Sequence, residues 1–257
     1  MSTKFTILGC GSSIGVPRID GFFGKCDPKN PKNLRSRCSA AITTKNLNIL
    51  IDTSPDLRSQ LLSNKIKNIN NVFYTHLHAD QTHGINDLRL FFLKNKKRIP
   101  IFADLNTTKY LKNNFAYCFK KNNGYPATLT LNKLKKTHFF KDINNKVKIK
   151  SIIVKHGNID CICYIINDVC AYASDVSHIF DKDLKHFKNL KYLIIDCLRY
   201  KKHSSHFNLN DVLNLVSKIK PKKTILTNLN NEMDYLTLIK VLPSNIIPAH
   251  DGLTFNI

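Results

Sequence analysis

Tyr74-Thr75-His76-Leu77-His78-Ala79-Asp80-Gln81-Thr82-His83-Gly84 is the stretch on which the reading of this chain turns. The apolar run at 72–75 has the composition of a buried strand. After Gly84, residues Ile85, Leu88, Leu90, Phe91 and Phe92 recur at helical spacing. A strand therefore feeds a histidine-rich turn that opens onto a helix. In extended backbone, residues i and i+2 project to the same side, so His76 and His78 address one point and Asp80 comes round on the following turn. Imidazole and carboxylate together suit zinc, manganese or iron. Ten histidines in the chain make a chance His-x-His-x-Asp common enough. Its place between a strand and a helix gives it weight.

Working outward, other strand ends carry the same chemistry. His156-Gly157 closes a strand that begins at Val147, Asp175 ends the Ala171-Tyr-Ala-Ser run, and His203-Ser-Ser-His206 follows a strand over 192–196. Taken singly, each histidine is more often a hydrogen-bonded structural residue; their order at successive strand ends argues otherwise. Further strands are expected at 4–10, 40–44, 47–52, 99–103, 161–166, 169–173, 224–227 and 245–248, the second and third as a hairpin about Lys45-Asn46. Helices are expected from Ser54-Pro55-Asp56 to about Asn64, with the proline in the first turn, and over 107–121, 209–219 and 234–241. Gly9-x-Gly11-x-x-x-Gly15 departs from the dinucleotide fingerprint and reads as backbone turning. Residues 18–38 form a long loop rich in Gly, Pro, Asn and Arg. No fixed-period repeat and no linker divides the chain, so one α/β domain over 1–257 is expected.

Composition bounds the function. Apolar residues make up 42% of the chain, enough for a core without disulfides, and no apolar run approaches the ~20 residues a membrane helix needs. With no export signal in the opening residues, a soluble cytoplasmic protein with no membrane partner is expected. Eight cysteines without a CxxC pair read as buried thiols. The net charge of +22 is carried by scattered lysines. It reads first as a solvated surface, with an anion-attracting field as the functional alternative.

The order Gly-x-Gly-x-x-x-Gly-Val-Pro, Leu-Ile-Asp52, His-x-His-x-Asp80, His156-Gly, Ser-Asp175 and His-x-x-His206 resembles the metallo-β-lactamase superfamily of hydrolases. Cys26-Asp-Pro-Lys-Asn-Pro-Lys-Asn, His203-Ser-Ser-His206-Phe-Asn-Leu, Ile225-Leu-Thr-Asn228 and Pro248-Ala-His250-Asp251-Gly resemble its phosphodiesterase branch. That branch includes the PhnP-like phosphoribosyl 1,2-cyclic phosphate phosphodiesterases. The resemblance implies an α/β (α+β) fold, a four-layer αββα sandwich with the metal site at one edge. It implies that His76, His78 and His156 hold a first metal, that Asp175 bridges to a second, and that Asp80 belongs to the second. It makes Asp52 the acceptor that orients a ligand histidine, and His206 the general acid. Gln81 and Asn228 depart from the pattern, because the family has a metal-2 histidine at each position. His250, where the branch usually has tyrosine, is a candidate substitute.

One or two divalent ions, zinc or manganese, are therefore expected, the second site weak or empty. The outcomes are a one-metal hydrolase, a mixed-metal hydrolase, or a binder of anions that has lost catalysis. The expected activity is hydrolysis of a small, cyclic phosphodiester by a metal-bound hydroxide, with His206 protonating the leaving oxygen. Arg18, Arg37 and Arg199 are the arginines placed to hold substrate phosphate. A small phosphorylated substrate is the expected partner, with nucleic acid, as in an RNA-processing nuclease, the less favoured one. Self-association into a homodimer is the remaining partner expectation.

Overall fold

The alternation along strand β9, Ile159–Ile166, fixes the architecture. Cys161, Cys163 and Ile165 pack on one side, while Ile162, Tyr164 and Ile166 pack on the other. A strand apolar on both faces must be covered on both. In the computed structural model, which describes residues 3–122, 124–142 and 145–257, it is the interior of one of two stacked sheets.

The first sheet runs in the order β14 (Leu253–Asn256), β1 (Lys4–Gly9), β2 (Ser39–Thr43), β3 (Asn48–Ile51), β4 (Asn71–Phe73), β5 (Ile99–Ala103), β6 (Leu129–Lys133). The second runs β13 (Ile246–Pro248), β12 (Lys223–Thr227), β11 (Tyr192–Asp196), β10 (Cys170–Ala173), β9, β8 (Asn145–His156), β7 (Thr137–Asp142). Phe5, Ile42, Ile49, Ile51 and Phe73 of the first sheet meet Val147, Tyr164, Tyr172 and Ile194 of the second in a shared middle layer. The outer face of the first sheet is covered by α1 (Leu57–Ser63), α3 (Arg89–Asn95), α4 (Leu105–Asn114) and α5 (Ala116–Phe119), and the single turn α2 (Ala79–Thr82) follows β4. The outer face of the second is covered by α7 (Leu209–Ile219) and α8 (Tyr235–Val241), with Leu184 of the short α6 (Asp181–Leu184) at its margin. This is the expected four-layer αββα sandwich. Helix α7 shows how sequence sets a layer. Val212, Leu215, Val216 and Ile219 line one stripe, Asn208 and Asp211 form a reciprocal cap, and Lys220 ends the helix at φ 50°.

Strand polarity decides where the site lies. β3 to β6 are mutually parallel, as are β10 to β13, and β8, two antiparallel pairings from β10, points the same way as β10. The carboxyl ends of β3, β4, β8, β10, β11, β12 and β13 therefore gather at one rim. Asp52, His76, His156, Asp175, Asp196, Asn228 and His250 stand at or just beyond these ends.

Some boundaries differ from the sequence reading. Asp104 accepts from the Thr107 backbone N–H at 2.9 Å and starts the fourth helix at Leu105. That helix breaks at Phe115 (φ −126°, ψ 38°), so the single helix expected over 107–121 is two. Pro55 lies before the cap Asp56, outside the first turn. The helix after Gly84 begins as a 3₁₀ turn, Ile85–Leu88. Strands β6, β7 and β14 were absent from the sequence reading.

The loop over 18–38 is stapled down. Arg35, 2% exposed, donates to Asn33 Oδ1 (3.0 Å), Asn230 O (3.2 Å) and Met233 O (2.7 Å), and Asn33 Nδ2 donates to Asp234 Oδ2 at 2.7 Å. Among the described residues no helix is long and apolar enough to cross a membrane.

Candidate metal centre

The chain leaves β3 at Asp52 with φ 63°, a left-handed turn that a short polar side chain tolerates. That turn sends its carboxylate across to the end of β4. Asp52 Oδ1 accepts the Thr75 backbone N–H at 2.7 Å, and Oδ2 accepts the Thr75 hydroxyl at 2.9 Å. With its proton given to Asp52, the hydroxyl is left to accept from His76 Nδ1 at 3.0 Å, which leaves His76 Nε2 with a bare lone pair. Asp52 thus orients the histidine through Thr75. On β8, His156 Nδ1 donates to Ser205 O at 2.6 Å, so its Nε2 is bare as well.

The three imidazoles of His76, His78 and His156 converge. Ring centroids lie 4.6, 5.1 and 5.1 Å apart, His76 Nε2 is 3.0 Å from His78 Nδ1, and one nitrogen from each ring falls within 4.8 Å of the other two. Nitrogens about 3.3 Å apart are what a tetrahedral zinc at about 2.0–2.1 Å from each requires. Burial pushes His76 down to about 3 and His156 downward, so both rings are held in the neutral form that ligates metal.

A charged pair borders this cluster. His206 Nδ1 donates to Asp196 Oδ2 at 2.7 Å and lies 4.0 Å from Asp175 Oδ1; the His156 and His206 rings are 4.5 Å apart. Burial disfavours the imidazolium, but Asp196 first and Asp175 after it raise His206 to about 9. Asp196, fully buried, is pushed up to about 7 by desolvation, and His206 opposes that rise. Desolvation and the neighbouring Asp175 lift Asp80 to about 6. Asp175 goes the other way: its burial works upward, but His76, His156 and His206 hold it below the usual carboxylate range.

The two amides lie among these carboxylates. Gln81 Nε2 donates to Asp80 Oδ2 (3.1 Å) and Asp175 Oδ2 (3.2 Å), while its buried Oε1 has no partner. Asn228 Nδ2 donates to Asp175 Oδ1 (3.3 Å) and Asp196 Oδ1 (3.2 Å), and lies 3.2 Å from His206 Nδ1. The donor set of His76, His78 and His156 fits one divalent ion, and Asp175 joins His156 and His206 in an adjoining cluster. The imidazole nearest the corner between Asp80 and Asp175 is His206, whose Nδ1–H is turned to Asp196, and the N–H groups of both amides face the carboxylates there.

Four expected residues are placed elsewhere. His250 donates from Nδ1 to Asp251 O at 3.0 Å with its ring 6.2 Å from that of Tyr235, and no described contact joins it to Asp80 or Asp175. Arg18 pairs with exposed Asp20 and covers the Phe22 ring. Arg37 pairs with Asp56 at 2.7 Å, and Arg199 donates to the carbonyls of Lys201 (3.2 Å) and Lys202 (2.8 Å). Arg18 and Arg199 are engaged within their own loops, and Arg37 with Asp56 at the cap of α1. The sequence reading passed over Asp196, Thr75 and Ser205. The first had a signal, since Leu193-Ile-Ile-Asp196 repeats the Ile49-Leu-Ile-Asp52 pattern ten residues before His206.

Residues 47–227 match the model of the beta-lactamase superfamily domain. The chain is 30% identical to the crystal structure of a new diphosphatase from the PhnP family, which it covers over 98% of that chain and 100% of this one, with a TM-score of 0.88. Zinc-bound PqqB from Methylobacterium extorquens shares the fold at 16% identity and a TM-score of 0.79, covering 99% of this chain and 100% of that one. An octanoyltransferase from Porphyromonas gingivalis is 29% identical over 252 residues, 96% of this chain, and the chain spans about half the length of that protein. Fold, matched domain and strand-end histidines agree: the chain belongs to the beta-lactamase superfamily, in its PhnP-like branch.

Proposed function

We propose that this chain is a metal-dependent phosphodiesterase acting on a small phosphodiester. The observation that carries the reading is the convergence of His76, His78 and His156 beside the His206–Asp196 pair. A divalent ion held by the three histidines and Asp175 would supply Lewis acidity toward a phosphoryl oxygen and a water made acidic enough to attack at neutral pH. The chain's residues supply the rest. Asp52 and Ser205 fix the tautomers of His76 and His156, so the nitrogens aimed at the ion are unprotonated. His206 keeps its Nδ1–H in a hydrogen bond to Asp196, and the imidazolium passes its Nε2 proton to the leaving oxygen as the P–O bond breaks, which leaves a neutral imidazole. Asp80 and Asp175 are the nearest bases for the proton the water releases.

The PhnP-family relative is named a diphosphatase; a phosphoanhydride P–O–P bond, like a phosphodiester, is cleaved by attack at phosphorus, and it is the second substrate class to assay. The octanoyl transfer in the name of the Porphyromonas protein is not carried over. All eight cysteines are buried, with thiols pushed above their usual range by desolvation, and none is a nucleophile for an acyl-enzyme.

Purified protein should hydrolyse bis-p-nitrophenyl phosphate or a ribose cyclic phosphate, lose that activity to a chelator, and regain it with Zn²⁺ or Mn²⁺. Absence of any chelator-sensitive phosphodiester cleavage would sink the reading. Preferential cleavage of RNA, with a steep loss of affinity as salt rises, would move the substrate to nucleic acid.

A further inference from the structure

We infer that this chain holds a single divalent ion, and that the side-chain amides of Gln81 and Asn228 take the structural place of a second. The inference rests on the metal-hydrolase reading above. Three carboxylates, of Asp80, Asp175 and Asp196, crowd one corner of the rim, two of them buried. Like charges so placed are relieved by a counter-ion, by a shared proton, or by hydrogen-bond donors between them.

The donors are present and their count matches. The Gln81 NH₂ bridges Asp80 Oδ2 and Asp175 Oδ2, and the Asn228 NH₂ bridges Asp175 Oδ1 and Asp196 Oδ1. Each amide spends both of its protons on two different carboxylates. The result is one continuous chain, Asp80–Gln81–Asp175–Asn228–Asp196–His206, closed by the 2.7 Å bond from His206 to Asp196. A cation between Asp80 and Asp175 would meet N–H groups where it needs lone pairs.

Turning the Gln81 amide over would present Oε1 to such a cation, but would take from Asp80 and Asp175 the donor that bridges them. Even then the ligand gained is a neutral amide oxygen, weaker for zinc than imidazole. The first site is untouched, because each Asp175 oxygen keeps a second lone pair and the three histidines make no bond to either amide.

The test is metal content after saturation with Zn²⁺ and desalting, with isothermal titration as a second measure. About one zinc per chain is expected for the native protein, and about two for Gln81→His/Asn228→His, which replaces both donors by imidazole. Two tightly held ions in the native protein would overturn the inference while leaving the hydrolase reading intact. A folded double variant that still holds one would overturn the role given to these amides. No zinc in the native protein would overturn the inference and the hydrolase reading together. If the double variant does not fold, the ¹⁵N-resolved side-chain amide signals of native Gln81 and Asn228 decide. They should be unmoved by a second equivalent of Zn²⁺, and their displacement by it refutes the inference.

Discussion

Replacing Asp196 by asparagine isolates what makes His206 a proton donor. In the metal-free protein His206 titrates at about 9 against an ordinary 6.5, a preference for imidazolium of about 3 kcal/mol at 1.36 kcal/mol per pKa unit. Its largest favourable source is Asp196, bonded at 2.7 Å; Asp175, at 4.0 Å, is secondary, and burial opposes both. Without the Asp196 charge, burial, the largest of the effects on His206, is opposed chiefly by the more distant Asp175, and the titration should fall to the ordinary 6.5 or below. At pH 7.5 the imidazolium fraction would then drop from about 97% to about a tenth or less. The sign for stability follows from the raised pKa. The contribution of His206 is fully present below 6.5 and is lost as pH rises through about 9. The assay is the imidazole Cε1–H shift against pH by ¹H–¹³C NMR on chelator-stripped protein, with His206→Gln to assign the resonance. A native His206 that titrates below 7, or a midpoint the Asp196→Asn change leaves in place, refutes the reasoning.

Thr75→Val keeps the side-chain volume but removes the hydroxyl between Asp52 and His76. Zinc affinity should fall roughly 10–100-fold with the circular dichroism unchanged, and an unaltered affinity would show that His76 needs no such relay. Asp251 accepts from Cys10 N, Ser36 N and Ser36 Oγ, so Asp251→Ala strands buried donors and should cost about 3 kcal/mol in urea unfolding at pH 5. Burial raises Asp251 to about 6, so its stabilising contribution is complete below about 4 and lost as pH rises through 6. The cost of the substitution should therefore be smaller at pH 8, and a larger one there would reverse the sign. Gly157 sits at φ +59°, where an added Cβ would lie 2.9 Å from Ser205 Cβ. Gly157→Ala should lower Tm by about 2–6 °C and weaken metal binding, because the Ser205 carbonyl it displaces holds His156. Weakened stability with full zinc affinity would separate the two effects.

The strand ends were legible in the sequence because the strands that bear them are apolar on both faces. Runs such as Tyr192–Asp196 and Cys161–Ile166 announce themselves, and a polar residue at the end of such a run stands where the sheet meets the rim. Strands β6, β7 and β14 were not legible, because they lie toward the sheet edges and are polar on one side: Leu129-Thr-Leu-Asn-Lys and Thr137-His-Phe-Phe-Lys-Asp read as loop. Side-chain direction was legible only where backbone period dictates it. His76 and His78 share a face by the i, i+2 rule. Arg37, Arg199 and His250 sit on irregular backbone, where a guanidinium or imidazole takes the nearest carboxylate or carbonyl, and nothing in the sequence marks that partner. Asp52 illustrates the middle case: the residue was legible, but the intervening Thr75 depends on the register of β3 against β4.

Charge balance gives a reason for the two amides to occur together. Asp80, Asp175 and Asp196 bring three negative charges to the rim; His206 protonated and one divalent ion bring three positive ones. With the amides as neutral donors the three carboxylates are offset by His206 and one ion, and buried charges that are offset cost least. A second divalent ion would add two positive charges to a chain that already carries +22. One of the two amides alone would serve less well. Gln81 alone leaves Asp196 without a donor besides His206 and the Val176 backbone N–H, and Asn228 alone leaves Asp80 facing Asp175 unbridged. The two amides form a matched pair because the three carboxylates are linked in series, and a series of three needs two bridges.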